Sequence, residues 1–262
     1  MHLLGYLCSV LIGVSLGLIG GGGSILTVPI LVYLFQIPPA KATGYSLFVV
    51  GLVAILGAYK HYRMGNLQLR TAWYFALPSL LSLYLSRHLL LPALPAELFH
   101  IGSHIISKDS FLLMIFAFLM LFASFSMIRK RSDIAHGTVQ PFRLGLIGLG
   151  VGFVTGLLGA GGGFLIIPAL VFFGGLPMKQ AVGTSLLIIS VNTSFGFMTD
   201  LLHGAQLDYP LLAGISLMAI AGMWIGTLLA KRINGAMLQP LFGWVVLIMG
   251  TYILLKEWLW HS

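Results

Sequence analysis

The sequence predicts an all-α integral membrane protein built of two inverted-topology repeats, each with a glycine-broken segment near the bilayer midplane. Three observations predict it. Mean hydropathy is +1.01 and 8% of the 262 residues are charged, where a soluble domain carries about 25%. Apolar segments follow one another along the whole chain, with no soluble domain between them. The run Gly20-Gly21-Gly22-Gly23-Ser24 returns 139 positions later as Gly159-Ala160-Gly161-Gly162-Gly163.

The first segment, residues 2–19, opens Met1-His2-Leu3 with no basic region and no small-residue cleavage site, so it reads as a retained span and not a signal peptide. Cys8, the single cysteine, reads as a small hydrophobe within it. The glycine run comes next. Glycine costs about 1 kcal/mol per residue against alanine in a helix interior, so several together unwind the backbone. Unwound backbone at membrane depth is tolerated only where protein buries it or where it lines a cavity. Residues 25–36 and 164–173 then resume as segments of about half a bilayer each. Their N-termini present free N–H groups and a partial charge of about +0.5 at the break, a place for an anion. Pro29 and Pro168 sit near the starts of these short segments, where a missing N–H costs little.

Further apolar segments cover 42–59, 71–92 and 110–128, then 144–158, 180–199, 209–230 and 237–255. The polar stretch Arg129 to Gln140, with Arg129-Lys130-Arg131, separates two halves. Residues 1–128 form a first transmembrane repeat, 129–142 a cytoplasmic basic linker and 143–262 a second repeat. At a gapless shift of 139, Gly13 aligns with Gly152, Gly17 with Gly156, Gly22-Gly23 with Gly161-Gly162, Pro29 with Pro168, Pro38 with Pro177, Gly44 with Gly183, Ser46-Leu47 with Ser185-Leu186, Gly57 with Gly196 and Gly65 with Gly204. Chance apolar similarity does not hold glycines and prolines in register over such a length. Interrupted segments at corresponding positions of two halves point to a transporter's binding site.

Basic residues in short loops set the orientation. The loop after the third segment carries Lys60, Arg63 and Arg70, while its counterpart, 200–208, carries neither lysine nor arginine. This places Lys60 to Arg70, Arg129 to Arg143 and Lys231-Arg232 in the cytoplasm, with Glu97 to Asp109, Asp200 to Asp208 and both termini outside. An odd number of crossings per half is required. Five crossings satisfy that parity, and so does a hairpin folded at the glycine break followed by three crossings.

The net charge is +8, and none of the acidic residues falls centrally in an apolar segment. A cation carrier is expected to place a carboxylate at depth, so an anionic or neutral cargo is favoured. The scattered histidines form no catalytic or metal-ligating constellation, and neither enzyme activity, cofactor, metal nor nucleic-acid partner is expected. The expected binding site is the backbone at Gly22, Gly23, Gly161, Gly162 and Gly163, lined by Ser24, Tyr45, Ser46, Thr184, Ser185 and Asn192. Neutral hydroxyl and amide donors suit an oxyanion that needs several hydrogen bonds and must also leave. The competing reading is that each hydroxyl bonds its own helix carbonyls, as for neighbouring Ser190, Thr193 and Ser194. Lys41 and Lys179 could draw anions into a vestibule, or snorkel at the interface. His61 and His203 flank the membrane ends and could accept protons. Gly13-x-x-x-Gly17, Gly152-x-x-x-Gly156 and Gly222-x-x-x-Gly226 read as close helix-packing pairs.

The motif running from Gly156 through Gly159-Ala160-Gly161-Gly162-Gly163 to Pro168, followed by Leu176-Pro177 and Ala181-Val182-Gly183-Thr184-Ser185-Leu186, resembles the TauE/SafE family of membrane proteins. The first half carries the same signature less closely, with Tyr45 where the family has threonine. The resemblance covers nearly the whole chain. It implies a multi-pass transporter of the bacterial inner membrane for small sulfur-containing anions such as sulfite, sulfoacetate or other organosulfonates, drawn as an exporter. The expected function is therefore secondary transport of such an oxyanion by alternating access. A passive anion channel, or an uptake carrier of another small organic anion, is the alternative.

Overall fold

A computed structural model describes residues 2–95, 97–101, 104–128, 140–158, 162–204, 207–233 and 235–260. Helix α1 (His2–Ile19) turns Leu4, Leu7 and Leu11 outward and Ser9, Ile12 and Leu16 inward. A helix apolar all round belongs out of water. At Gly20 the backbone takes a φ of +69°, a left-handed turn that glycine adopts at no steric cost. The chain then tightens into a 3-10 segment, Gly20–Leu26, before α2 (Thr27–Tyr33). The short helix expected over 25–36 is thus reduced to seven α-helical residues.

Helix α3 (Pro39–Arg63) follows, then α4 (Leu69–Leu85), which widens into a π turn, Ser86–Leu90, ahead of α5 (Leu91–Ala93). The expected all-helical fold is interrupted by a short antiparallel hairpin, β1 (Glu97–Ile101) and β2 (His104–Ser107), with a bulge between Glu97 and Phe99. Helix α6 (Lys108–Ile128) comes next, followed by α7 (Pro141–Leu158), α8 (Gly163–Phe172), α9 (Met178–Leu202), α10 (Tyr209–Arg232) and α11 (Gly235–Trp260). The basic run Arg129 to Arg131 lies outside the described residues.

Among the described residues, four helices are by length and apolarity able to cross a membrane: α3, α7, α9 and α10. Shorter apolar helices lie at Leu4–Ile19, Ser24–Tyr33, Ser110–Phe125 and Gly243–Lys256. The protein is a multi-pass membrane protein. Its exposed surface is correspondingly apolar, with Phe122, Phe142, Leu146, Trp244 and Ile248 facing outward, a composition that in water would be an aggregation hazard.

The main packing partners are α1 with α10, α4 with α7, α3 with α9 and α6 with α11. Glycines permit the first two. A Cβ on Gly13 or Gly17 would strike α10 backbone at Ala219 and Met223, and one on Gly222 or Gly226 would strike Val10 and Val14. Gly152 and Gly156 lie just as closely on Ser79 and Leu83 of α4. All three paired-glycine motifs therefore serve close helix approach.

Helices α3 and α9 are the most buried of the long spans, 61% and 67% against 39% and 44% for α7 and α10. They run antiparallel: Gly44 lies beside Asp200, Gly51 beside Thr193, Gly57 beside Leu186, and Asn66, just past the end of α3, beside Gly183. Near the N-terminus the chain doubles back. The rings of Tyr6 and Phe35 meet edge to face with centroids 5.4 Å apart, and Phe35 also covers Gly5. Eighteen residues of α1 span about 27 Å at 1.5 Å per residue, so a chain that kept its direction after Gly20 would carry Phe35 far from Tyr6. The chain therefore returns alongside α1 after Gly20.

Candidate functional site

The two glycine runs meet. A Cβ on Gly163 would strike the Gly21 carbonyl, and one on Gly21 would lie 2.7 Å from Gly163 Cα. Only backbone without side chains fits this contact. Gly162 caps α8 with a φ of +64° and accepts from the N–H groups of Leu165 and Ile166 at 2.9 and 3.0 Å. The Gly21 N–H donates to Ser185 Oγ at 3.3 Å, and the Ser185 hydroxyl donates to the Val182 carbonyl at 2.8 Å. One free N–H expected at the first break is thus taken up by Ser185 of α9.

Of the expected site residues, the structure gathers Gly163 and Ser185 around Gly21. Gly22 and Gly23 lie in the 3-10 segment, and Gly161 lies outside the described residues. The others are tied into the protein. Ser24 donates to the Gly21 carbonyl at 2.8 Å. Tyr45 accepts from the Asp208 N–H at 2.9 Å, and Thr184 accepts from the Gln68 N–H at 3.1 Å. The Asn192 amide donates to Ser79 Oγ at 2.7 Å, and its carbonyl oxygen lies 2.9 Å from the same hydroxyl. Ser46 is fully buried and its hydroxyl has no hydrogen-bond partner. Ser190 and Thr193 bond carbonyls of their own helix, at Leu187 and Ile189.

Cavities lie at the two ends of the α3–α9 pair. One of about 420 Å³, where α3 begins and α9 ends, is lined by Thr43, Arg87, His88, Lys108, Asp200 and His203 among others. The other, about 210 Å³, where α3 ends and α9 begins, is lined by Leu18, His61, Met64, Asn66, Val182, Ala230 and the two lysines Lys179 and Lys231. Ser24, Tyr45, Ser46, Thr184, Ser185 and Asn192 are among the described lining residues of neither, whereas Lys179, His61 and His203, also singled out in the sequence, line one or the other.

The larger cavity contains a pair that the sequence reading missed. Arg87 Nε and Nη2 donate to the two carboxylate oxygens of Asp200 at 2.7 and 2.5 Å, with both side chains largely buried. Arg87 Nη1 also reaches the Gly156 carbonyl at 3.4 Å. Asp200 was expected in a loop beyond the apolar segment 180–199; it lies instead on α9, which continues through Leu202, and its carboxylate is neutralised there by Arg87. The signal was an arginine inside the apolar segment 71–92. Its partner is 113 positions away, not 139, so the repeat register does not connect them. His88 and His203 stack beside the pair, with ring centroids 4.4 Å apart.

At the opposite end Lys60 donates to Thr227 Oγ1 at 2.5 Å and lies over the Trp224 ring. Lys179 lines the smaller cavity, while Lys41 is exposed and outside the lining of the larger one. Among the described residues no three His, Cys, Asp or Glu side chains are grouped to hold a metal ion.

Comparison with known proteins follows the same outline. The family described as "Sulfite exporter TauE/SafE" matches residues 5–253. A probable membrane transporter protein of Xylella fastidiosa (strain 9a5c) is 31% identical over 259 residues, covering 95% of this chain and 93% of its own length. The probable membrane transporter protein YdhB of Bacillus subtilis is 28% identical, covering 82% and 85%. A probable membrane transporter protein of Methanocaldococcus jannaschii is 27% identical, covering 94% and 92%. No solved structure matches the chain.

Proposed function

This chain belongs to the sulfite exporter TauE/SafE family of membrane transporters, and from that premise we propose that it exports a small sulfur-containing oxyanion by alternating access. Sulfite, sulfoacetate or a related organosulfonate is the proposed cargo. The observation that carries the reading is the backbone contact of Gly21 with Gly163, with cavities at the two ends of the α3–α9 pair. A carrier needs such a closed middle between two vestibules, and the cationic side chains in both vestibules favour an anion.

The proposed architecture is two inverted repeats, residues 1–128 and 143–262, each a hairpin folded at its glycine run followed by three crossings. It is supported by α3 lying antiparallel to α9, its sequence-matched counterpart, and by the exchange of partners that sets α1 on α10 and α7 on α4. Short-loop lysines and arginines orient the ends of α3 and α10 to the cytoplasm and both termini outward. Gly22, Gly23, Gly161, Gly162 and Gly163, with Ser24, Tyr45, Ser46, Thr184, Ser185 and Asn192, form the proposed passage, exposed when the two runs separate.

The test is counterflow in proteoliposomes loaded with unlabelled sulfite, sulfoacetate or taurine and given labelled sulfite outside. Saturable accumulation driven by the internal anion is expected. Flux without saturation or counterflow would make the protein a channel instead.

A further inference from the structure

We infer that the smaller cavity is the site that captures the oxyanion on the cytoplasmic side, with His61 as its buried hydrogen-bond donor. The inference rests on the transport reading above and names its loading site.

His61 is 3% exposed and lines the cavity. Neither ring nitrogen has a hydrogen-bond partner; the ring faces the Gly17 carbonyl without reaching bonding geometry. An imidazole buried without a partner is costly, and such a group in a native structure calls for an explanation. An anion in the cavity supplies one, since a ring N–H then finds an acceptor.

The remaining lining fits an anion and not a cation. Lys179 and Lys231 bring two ammonium groups from α9 and α10, the Asn66 side chain adds an amide, and no carboxylate is among the described lining residues. Leu18, Met64, Val182 and Ala230 close the apolar walls. About 210 Å³ is ample for a sulfite or a two-carbon sulfonate. A buried charge must be paired and hydrogen-bonded to be tolerated, and these side chains provide both.

The other cations near the cavities are committed elsewhere. Arg87 is held by both oxygens of Asp200 in the larger cavity, and Lys60 is held by Thr227 and the Trp224 ring. In the α3–α9 register His61 and Asp200 are counterparts, offset by 139. One end of the pair thus carries a satisfied ion pair with His88 Nε2 buried and unpaired beside it, and the other an imidazole with neither ring nitrogen paired. The larger cavity also holds the Asp200 carboxylate, whereas the smaller one joins its unpaired imidazole to two lysines, and that difference in charge makes it the place of capture.

The experiment uses the full chain, purified for sulfite titration by thermal stabilisation and reconstituted for sulfite counterflow. The variants are His61→Leu, the rim double variant Lys179→Gln/Lys231→Gln, and Arg143→Gln as a charge control outside the cavity. Loss of one hydrogen bond to a charged ligand should raise the half-saturating sulfite concentration about ten- to a hundredfold in His61→Leu. The rim variant should raise it several-fold, and Arg143→Gln should leave it unchanged. Lys179 and Lys231 have exposed side chains, so the rim variant decides the matter even where His61→Leu does not fold. Saturable sulfite counterflow with an unshifted half-saturation in both cavity variants would overturn the capture site and leave the transport reading standing. Absence of saturable binding and flux in the unmodified protein would overturn both.

Discussion

Arg87 and Asp200 clasp each other through two parallel hydrogen bonds, 2.7 and 2.5 Å long, between the π turn after α4 and the last turns of α9. The side chains are only 7% and 14% exposed, so each charge depends on the other. Removing one partner of a buried pair strands the survivor, at a cost of about 3–5 kcal/mol. Arg87→Met and Asp200→Leu should each lower the unfolding midpoint in detergent by that order. The double variant should recover a substantial part, because no charge is left unpaired. Single variants as stable as the parent would show that the pair is solvated.

A second prediction concerns the contact of the glycine runs. Gly163→Ala drives a methyl group into the Gly21 carbonyl, and overpacking of this kind costs about 1–3 kcal/mol. It should lower both stability and counterflow rate. Gly150→Ala is the matched control, since a Cβ there meets open space; it should be neutral or up to about 1 kcal/mol stabilising. Equal behaviour of the two in melting and flux assays would remove the packing argument.

Chain direction can be tested by thiol cross-linking in a Cys8→Ser background. Tyr6→Cys with Phe35→Cys should react with a short bifunctional thiol reagent, as should Gly57→Cys with Leu186→Cys. The first pair reports the return of the chain after Gly20, and the second the antiparallel α3–α9 pair. A mass shift on gels in the second pair but not the first would restore five successive crossings.

Asn192 and Ser79 form a closed amide–hydroxyl pair that ties α9 to α4. Hydrogen bonds between membrane helices contribute about 0.6 kcal/mol on average and up to about 1.7. A double-mutant cycle with Asn192→Ala and Ser79→Ala should return a coupling energy in that range. Additive effects would mean that Asn192 is held by something other than Ser79.

The helices were largely legible because their signals are local. Residues 2–19 were expected as a span and are α1, and 144–158, 180–199 and 209–230 differ from α7, α9 and α10 only by a few end residues. The packing role of Gly13, Gly17, Gly222 and Gly226 was also legible, since spacing alone lines small residues along one helix face. The hairpin Glu97–Ser107 was not, because strand pairing in so short a segment carries no strong periodic signal.

What the sequence by itself determined is the membrane class and the family, since hydropathy and motif are read along the chain. What only the tertiary structure decided is which groups face each other. Ser185 meets Gly21, Arg87 meets Asp200, and His61 lines a cavity with no partner of its own. The first two join α9 to the 3-10 segment after α1 and to the π turn after α4, so packing against α9 brings residues more than a hundred positions apart within bonding distance. No local pattern encodes that distance, because hydrogen bonds and ion pairs form between atoms adjacent in space, wherever the chain has carried them.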